Sequence, residues 1–366
     1  MKKVGIITTH RQTNWGSVLQ CYALQEALKK CDYDVDVIDY YPDDVTVEGR
    51  LKTLKNKSRL FKNPLLYRIA KVVFSITYKH NKNVFDPFIK NNLALTDKVY
   101  YSAKEIKDDD PKEDIYCCGG DQTLNGFKML DVFDNLSDKT MKVAYSSSFG
   151  KITFSKDEYI REVKSLSRFD FLSCREDSGV EIMREMGLGL VPQIIDSVFL
   201  LGKEDWEQLA SNKYKGKKYI FVYNLHHDKE IEKLEKALSE KYNIPVINVC
   251  NHWFEFYRYG KFMWCPSVED WLGLIMDAEY VLSDSFHATA FSLLFHKKYL
   301  TIVPNEVGTR VDSISNLFHT QERLVIKDSN ADYLEIIDRE IDGEVVNTII
   351  QNEKKKAIEY INSWKG

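Results

Sequence analysis

The chain has 366 residues, 44% of them apolar and 29% charged, with a formal net charge of -4. That length supports two ordinary domains with their own cores, and the mildly acidic balance points away from a nucleic-acid binder. Seven scattered cysteines, odd in number, suggest neither a disulfide framework nor a zinc pattern.

Met1-Lys2-Lys3-Val4 leads directly into a strand pattern, Val4 to Thr8. No leader is expected, and no apolar run is long enough to span a bilayer. The expected location is the reducing cytoplasm. Ser17 to Lys30 has helical spacing of apolar residues, and Val35 to Tyr40 is a second strand, so the chain opens as a β-α-β unit. Residues 43–113 break this rhythm with helical stretches such as Pro64 to Lys79; Leu51 to Asn83 holds nine Lys or Arg and no Asp or Glu. Strand patterns resume at Asp114 to Cys118, Lys142 to Ser146 and Asp170 to Cys174, followed by a helix over about 176–186. After a Lys215-Gly216-Lys217-Lys218 linker a second series begins. It has strands at Tyr219 to Tyr223, Pro245 to Val249, Tyr280 to Leu282 and Tyr299 to Val303, alternating with helices at Lys229 to Lys241, Val268 to Ala278 and Ala288 to Phe295. A long amphipathic helix is expected from about Ala331.

Two successive β-α series predict an α/β protein of two Rossmann-like domains facing a cleft, with the C-terminal helix packing back across both. The expected divisions are residues 1–205 on the acceptor side, carrying the basic insertion at 43–113; residues 206–330 on the donor side; and 331–366 as the crossing helix. In open α/β sheets ligands bind beyond the carboxyl ends of the strands, so the polar segments there carry the functional reading.

Five such segments stand out. His10, then Asn14-Trp15-Gly16-Ser17, precede the first helix, where free backbone N–H groups favour an anion; simple capping by Asn14 or Ser17 accounts for them equally well. Gly119-Gly120-Asp121-Gln122 offers a close backbone approach and polar groups for sugar hydroxyls, or only a turn. Ser147-Ser148-Phe149-Gly150 ends another strand. Arg175 at a strand end suits a carboxylate or phosphate, the alternative being a pair with Glu176 or Asp177. Ser283-Asp284-Ser285-Phe286-His287-Ala288-Thr289 joins a strand to a helix; there Ser285 can cap and His287 sits in the first turn.

These segments resemble the polysaccharide pyruvyl transferase family. Gly5 to His10 with Asn14 to Gln25 looks like its first strand, loop and helix; Gly119-Gly120-Asp121-Gln122 looks like its Gly-Ser-Asp-Gln block. Ser147 to Gly150, Ser173 to Glu176, Ile195-Asp196, Asp284 to His287 and Arg310 are similar to further blocks, over roughly residues 4 to 323. Ser285 stands where some branches have Arg, Ala288 replaces a Gly, and Asp196 lacks a following Pro. The resemblance implies a fold like the two-domain glycosyltransferases called GT-B, phosphoenolpyruvate as donor substrate, and a sugar acceptor in a polysaccharide, such as a capsule or exopolysaccharide, or in its lipid-linked precursor. The product is a pyruvyl ketal bridging two hydroxyls.

On that basis His287 is expected to move protons, with Asp284 orienting its ring. Arg175, Ser285, Phe286 and Arg310 are expected to meet the donor, and His10, Asn14, Trp15, Gly16, Gly120, Asp121, Gln122 and Ser148 to face the acceptor. No metal or other cofactor and no nucleic-acid partner is expected. The basic segment 51–83, with its apolar residues, suggests a peripheral contact with an anionic membrane surface, the alternative being a solvated helix pair. Two other readings use the same scaffold. One is a nucleotide-sugar glycosyltransferase with Glu306 or Arg310 facing the nucleotide; the other, drawn from Ser285, is a non-catalytic sugar- or anion-binding protein.

Overall fold

The computed structural model describes residues 1–124, 127–303, 309–327 and 329–366. Glu306 lies outside the described residues. The strands are β1 (Lys3–Ile7), β2 (Asp34–Val37), β3 (Ile115–Gly119), β4 (Met141–Tyr145), β5 (Ile220–Tyr223), β6 (Val246–Cys250), β7 (Lys261–Trp264), β8 (Tyr280–Ser283), β9 (Lys298–Ile302) and β10 (Leu324–Val325). They form two parallel sheets, in the orders β2-β1-β3-β4 and β10-β9-β8-β5-β6-β7. The central strands are buried on both faces and so read as apolar runs, Ile115–Gly119 and Ile220–Tyr223 among them.

The first helix, α1 (Trp15–Lys30), starts where the Asn14 side chain accepts from Ser17 N. The insertion forms α2 (Val47–Lys57) and the 29-residue α3 (Pro64–Asn92). α3 runs well beyond the predicted Lys79, through an internal Pro87, because Phe85, Phe88 and Ile89 are buried in the main core.

Three further elements differ from the sequence reading. Asp170 to Cys174 is extended but runs beside β4 and the residues after it through isolated bridges, Val143 with Phe171 and Ser147 with Cys174. There Ser146 N donates to the Ser173 hydroxyl rather than to a backbone oxygen, while Ala144 O still accepts from Ser173 N at 3.0 Å. β7 was not foreseen; it is a four-residue edge strand, Lys261–Trp264, with no fully buried residue, too short to show a period. The C-terminal stretch is a short helix, Tyr333–Ile336, and then a separate one, Gly343–Ser363.

The helix Gly343–Ser363 crosses both halves. Ile361 O accepts from Tyr33 Oη at 2.9 Å, and Tyr360 Oη donates to Ala144 O at 2.9 Å. Farther up, Asn347 Oδ1 lies 3.0 Å from His296 Nε2 of the second half. One apolar core runs continuously from Val4, Ile6 and Leu19 through Trp15, Trp271 and Phe291 to Ala357 and Trp364. All seven cysteines are buried and unbridged.

Candidate active site

Parallel pairing brings the carboxyl ends of β3, β4, β5 and β8 to face one another across the two sheets, and the polar turns that follow them converge. β8 ends at Ser283. Ser285 caps the helix Phe286–Leu294 through a long 3.5 Å bond from Ala288 N, which leaves His287 in the first turn. The imidazole is only 4% exposed. Among the described residues its Nε2 has no hydrogen-bond partner, and it lies 3.8 Å from Asp196 Oδ2. Gly16 lies against the other side of the ring: a Cβ there would sit 2.2 Å from His287 Nδ1. Gly16 is therefore glycine because the ring from the opposite half occupies the space of a side chain.

Around His287 lies a ring of charge drawn from both halves. Arg310 Nη1 donates to Asp121 Oδ1 at 2.9 Å. Arg175 donates from Nη2 to Asp121 (3.2 Å), from Nη1 to Asp196 (2.8 Å) and from Nε to Glu176 (3.2 Å), and its guanidinium covers the Phe286 ring at 4.0 Å. Ser17 Oγ donates to Asp121 Oδ2 at 3.4 Å.

The protonation states follow from these contacts. Burial drives the His287 pKa down; Asp121 and Asp196 raise it, Arg175 and Arg310 lower it, and the net direction is down. The resting ring is neutral near pH 7. Burial pushes the Asp121 carboxyl up, but His287, Arg310 and Arg175 together outweigh that and hold it well below the usual carboxylate range. A narrow pocket opens beside the cluster, lined by Arg175, Gln193, Asp196, Phe286, Arg310 and Ser313, with Glu353 of the crossing helix on its wall.

The predicted residues thus divide. His287, Asp121, Arg175, Arg310, Phe286, Ser285 and Gly16 are brought together. Gly120, at φ +77°, packs on the Gln20 amide, where a Cβ would clash at 1.9 Å. Gln122, also at positive φ, lies under Gly150. Ser148 donates to Glu176, behind Arg175.

Three residues lie otherwise than expected, and a fourth takes the capping role that the sequence also allowed. Asp284 does not orient His287: its carboxylate accepts from Leu225 N and His226 N, both at 2.7 Å, and lies 2.9 Å from His226 Nδ1. The β5–β8 pairing places it opposite the end of β5, pointing away from its sequence neighbour. Trp15 faces no acceptor. It is fully buried, stacked on Trp271 at 6.1 Å, and its Nε1 donates to Pro266 O. His10 is also fully buried, 3.6 Å from the Asp39 carboxylate that Arg11 holds, and burial lowers its pKa. Asn14 serves as the cap of α1.

Asp196, Glu176, Ser17, Ser313 and His226 join the site although none was expected to meet donor or acceptor; Glu176 was foreseen as a pairing partner of Arg175, and Ser17 as a cap. Asp196 had a signal, since it stands in a resembling block, and it caps the turn Ser197–Leu200. His226 carried none; only the sheet order brings it to Asp284. Its contact with Asp284 raises its pKa, against burial and the Arg310 charge.

Solved structures share this architecture. A putative UDP-N-acetylglucosamine 2-epimerase from Listeria monocytogenes superposes with a TM-score of 0.58 at 10% identity, covering 99% of this chain and 96% of that one. The UDP-GlcNAc 2-epimerase from Methanocaldococcus jannaschii gives 0.52 at 12% identity, over 96% and 99%. The S. aureus MnaA–UDP structure gives 0.53 at 9%, over 99% and 91%. These likenesses establish a GT-B-like fold. Among curated protein sequences no match is found. The family model for polysaccharide pyruvyl transferase matches residues 14–305, a span that holds His287, Asp121, Arg175 and Asp196. The chain is a transferase belonging to the polysaccharide pyruvyl transferase family.

Proposed function

We propose that the protein transfers the pyruvyl group of phosphoenolpyruvate to two hydroxyls of a polysaccharide or lipid-linked sugar, forming a ketal, with His287 as the proton carrier. The observation that carries this reading is the neutral, buried and unpartnered Nε2 of His287, ringed by charge from both halves. His287 takes the proton of the first attacking hydroxyl and delivers it to C3 of the enol, as that oxygen bonds to C2. The second hydroxyl then attacks C2, its proton leaves by the same imidazole, and the C2–O bond to phosphate breaks. Inorganic phosphate and the ketal result, and no oxidant or reductant is consumed.

Arg175 already spends all three guanidinium nitrogens on the protein's own carboxylates. Its part is therefore to hold Asp121, Asp196 and Glu176 in place; Arg310, on the wall of the pocket beside His287, is the candidate to meet the donor anion. His226, whose pKa the Asp284 carboxylate raises, is a second titratable group near Arg310. Two groups whose surroundings push their pKa values apart suit base and acid roles.

The test is phosphate release from phosphoenolpyruvate with a panel of sugar acceptors, and with UDP-N-acetylglucosamine as a rival donor. His287→Gln is expected to cut turnover about a hundredfold or more with the fold intact. The pH–rate profile should be a bell. Its acid limb, protonation of His287, lies below the ordinary imidazole value; its alkaline limb, loss of the His226 proton, lies above it. His226→Gln should remove the alkaline limb only. Turnover of the UDP-sugar but not of phosphoenolpyruvate would overturn the reading.

A further inference from the structure

Four residues of α3, Leu65, Ile69, Val72 and Ile76, are 66%, 52%, 59% and 47% exposed. Their spacing of four, three and four residues puts them on one face of the helix, a stripe about 16 Å long at 1.5 Å per residue. Leu60, just before the helix, is 68% exposed, and Leu66 borders the stripe. The stripe does not result from a loosely held helix. The opposite face packs through Ala70, Tyr67, Phe74 and Tyr78 onto Val47 and Leu51 around α2. The far end is fastened to both halves. Phe85 and Phe88 enter the main core, Asn81 Nδ2 donates to Asn251 O at 3.0 Å, and His80 stacks on Trp264 at 3.7 Å. The loop after β6 that receives α3 also exposes Phe256 and Tyr257.

Charge decides what covers the stripe. From Leu51 to Asn83 the chain has nine Lys or Arg and no Asp or Glu, although the whole molecule is acidic. By helical geometry Arg68 and Lys79 run along one border of the stripe. Lys52, Lys55 and Lys62 are exposed on the adjoining α2 and turn, and the acidic neighbour Glu48 is engaged by Lys71 at 3.5 Å. A second copy of the chain laid on this face would set basic border against basic border with no acid in the segment to answer it. An anionic lipid surface answers both features: acyl chains take the apolar residues and headgroups take the cations.

We infer that α3 and the turn before it form an in-plane membrane anchor, which docks the enzyme on an anionic bilayer through the Leu65–Ile69–Val72–Ile76 stripe and its basic border. This extends the proposed function, because a lipid-linked acceptor would then be presented beside the cleft, but its test does not depend on any donor. The full chain is mixed with vesicles of phosphatidylcholine alone or with added phosphatidylglycerol, and the bound fraction is measured by sedimentation. Binding is expected to the anionic vesicles only, and to fall as salt rises. Changing the stripe to Leu65→Ser, Ile69→Ser, Val72→Ser and Ile76→Ser together should weaken it about tenfold or more. The melting midpoint and turnover on a soluble acceptor should be unchanged. Lys52→Gln, Lys62→Gln and Lys79→Gln together, all at exposed positions, should weaken it as well. No binding to phosphatidylglycerol vesicles, or equal binding by the serine variant, would overturn the inference. So would a wild-type dimer in sedimentation equilibrium that the serine changes dissociate, since a second copy would then own the stripe. Vesicle binding without phosphoenolpyruvate turnover would leave the anchor standing and sink only the proposed function.

Discussion

At the scale of single residues, the site depends on a contact that no local pattern announces: the imidazole of His287 resting on the bare Cα of Gly16. Gly16→Ala adds one carbon where the ring stands. Alanine is a better helix former than glycine, so α1 should survive while the ring is displaced. Turnover is expected to fall at least tenfold with little change in melting midpoint; unchanged turnover would show that the ring has room to move. Buried Glu162 offers a different test. Neither of its carboxyl oxygens has a hydrogen-bond partner, and burial pushes its pKa up to about 8. Between the ordinary value of 4.5 and about 8 the folded state keeps a proton that the unfolded state has lost. Stability from this group therefore declines as pH rises through that window. Glu162→Gln should melt a few degrees above the wild type at pH 8.5, with the gap closing towards pH 5. A gap independent of pH would show that the residue's charge is not the cause. His287 itself was legible in the sequence, since a Ser-capped helix after a strand fixes a first-turn residue at a sheet edge. The partners of Asp284 were not, because they are supplied by a strand some sixty residues earlier.

At the scale of elements, the strand–turn–helix from β8 to Phe286–Leu294 positions the chemistry, and its two polar anchors differ in strength. The Ser285 cap accepts one bond at 3.5 Å, whereas Asp284 accepts two backbone bonds at 2.7 Å and faces an imidazole as well. Ser285→Ala should then cost about 0.5 kcal/mol, the low end for a lost cap. Asp284→Ala, which removes the acceptor of two partly buried backbone N–H groups, should cost more, about 1–2 kcal/mol. Urea denaturation of both variants checks the order, and the reverse order would mean that Asp284 is not the anchor of this turn. Buried parallel strands announced themselves as short apolar runs between glycine- and serine-rich turns, and most of both sheets could be read that way. β7 and the segment around Phe171 could not. One is a four-residue edge strand with no fully buried residue, and the other pairs only through isolated bridges. The long reach of α3 was hidden for a related reason: Pro87 looks like a stop, yet the buried phenylalanines on either side of it hold the helix.

At the scale of the whole molecule, two sheets that each carry a complete β-α series are joined into one unit, and the join is as apolar as either half. Trp15, from the first turn of α1, stacks on Trp271 and meets Tyr223 edge-on, with Phe85 of α3 on another side. Polar links lie around this contact: Ser313 Oγ accepts from Asp177 N and from Gln193 Nε2, and Arg310 reaches Asp121. The candidate site sets His287 from one half against Gly16 and Asp121 from the other, so whatever holds the halves together also sets the site. Removing the indole leaves a cavity at a fully buried position, and a Trp→Ala change there costs about 3–5 kcal/mol. The polar links cannot replace that loss, since each is worth only about 1 kcal/mol net. Trp15→Ala is therefore expected to lower stability by about 3 kcal/mol or more and to split a single denaturation transition into two, as each half unfolds on its own core. It should lower turnover too, although the indole lies outside the charge ring around His287. A loss below about 1 kcal/mol with one sharp transition would mean that the crossing helix Gly343–Ser363, rather than the tryptophan pair, couples the halves.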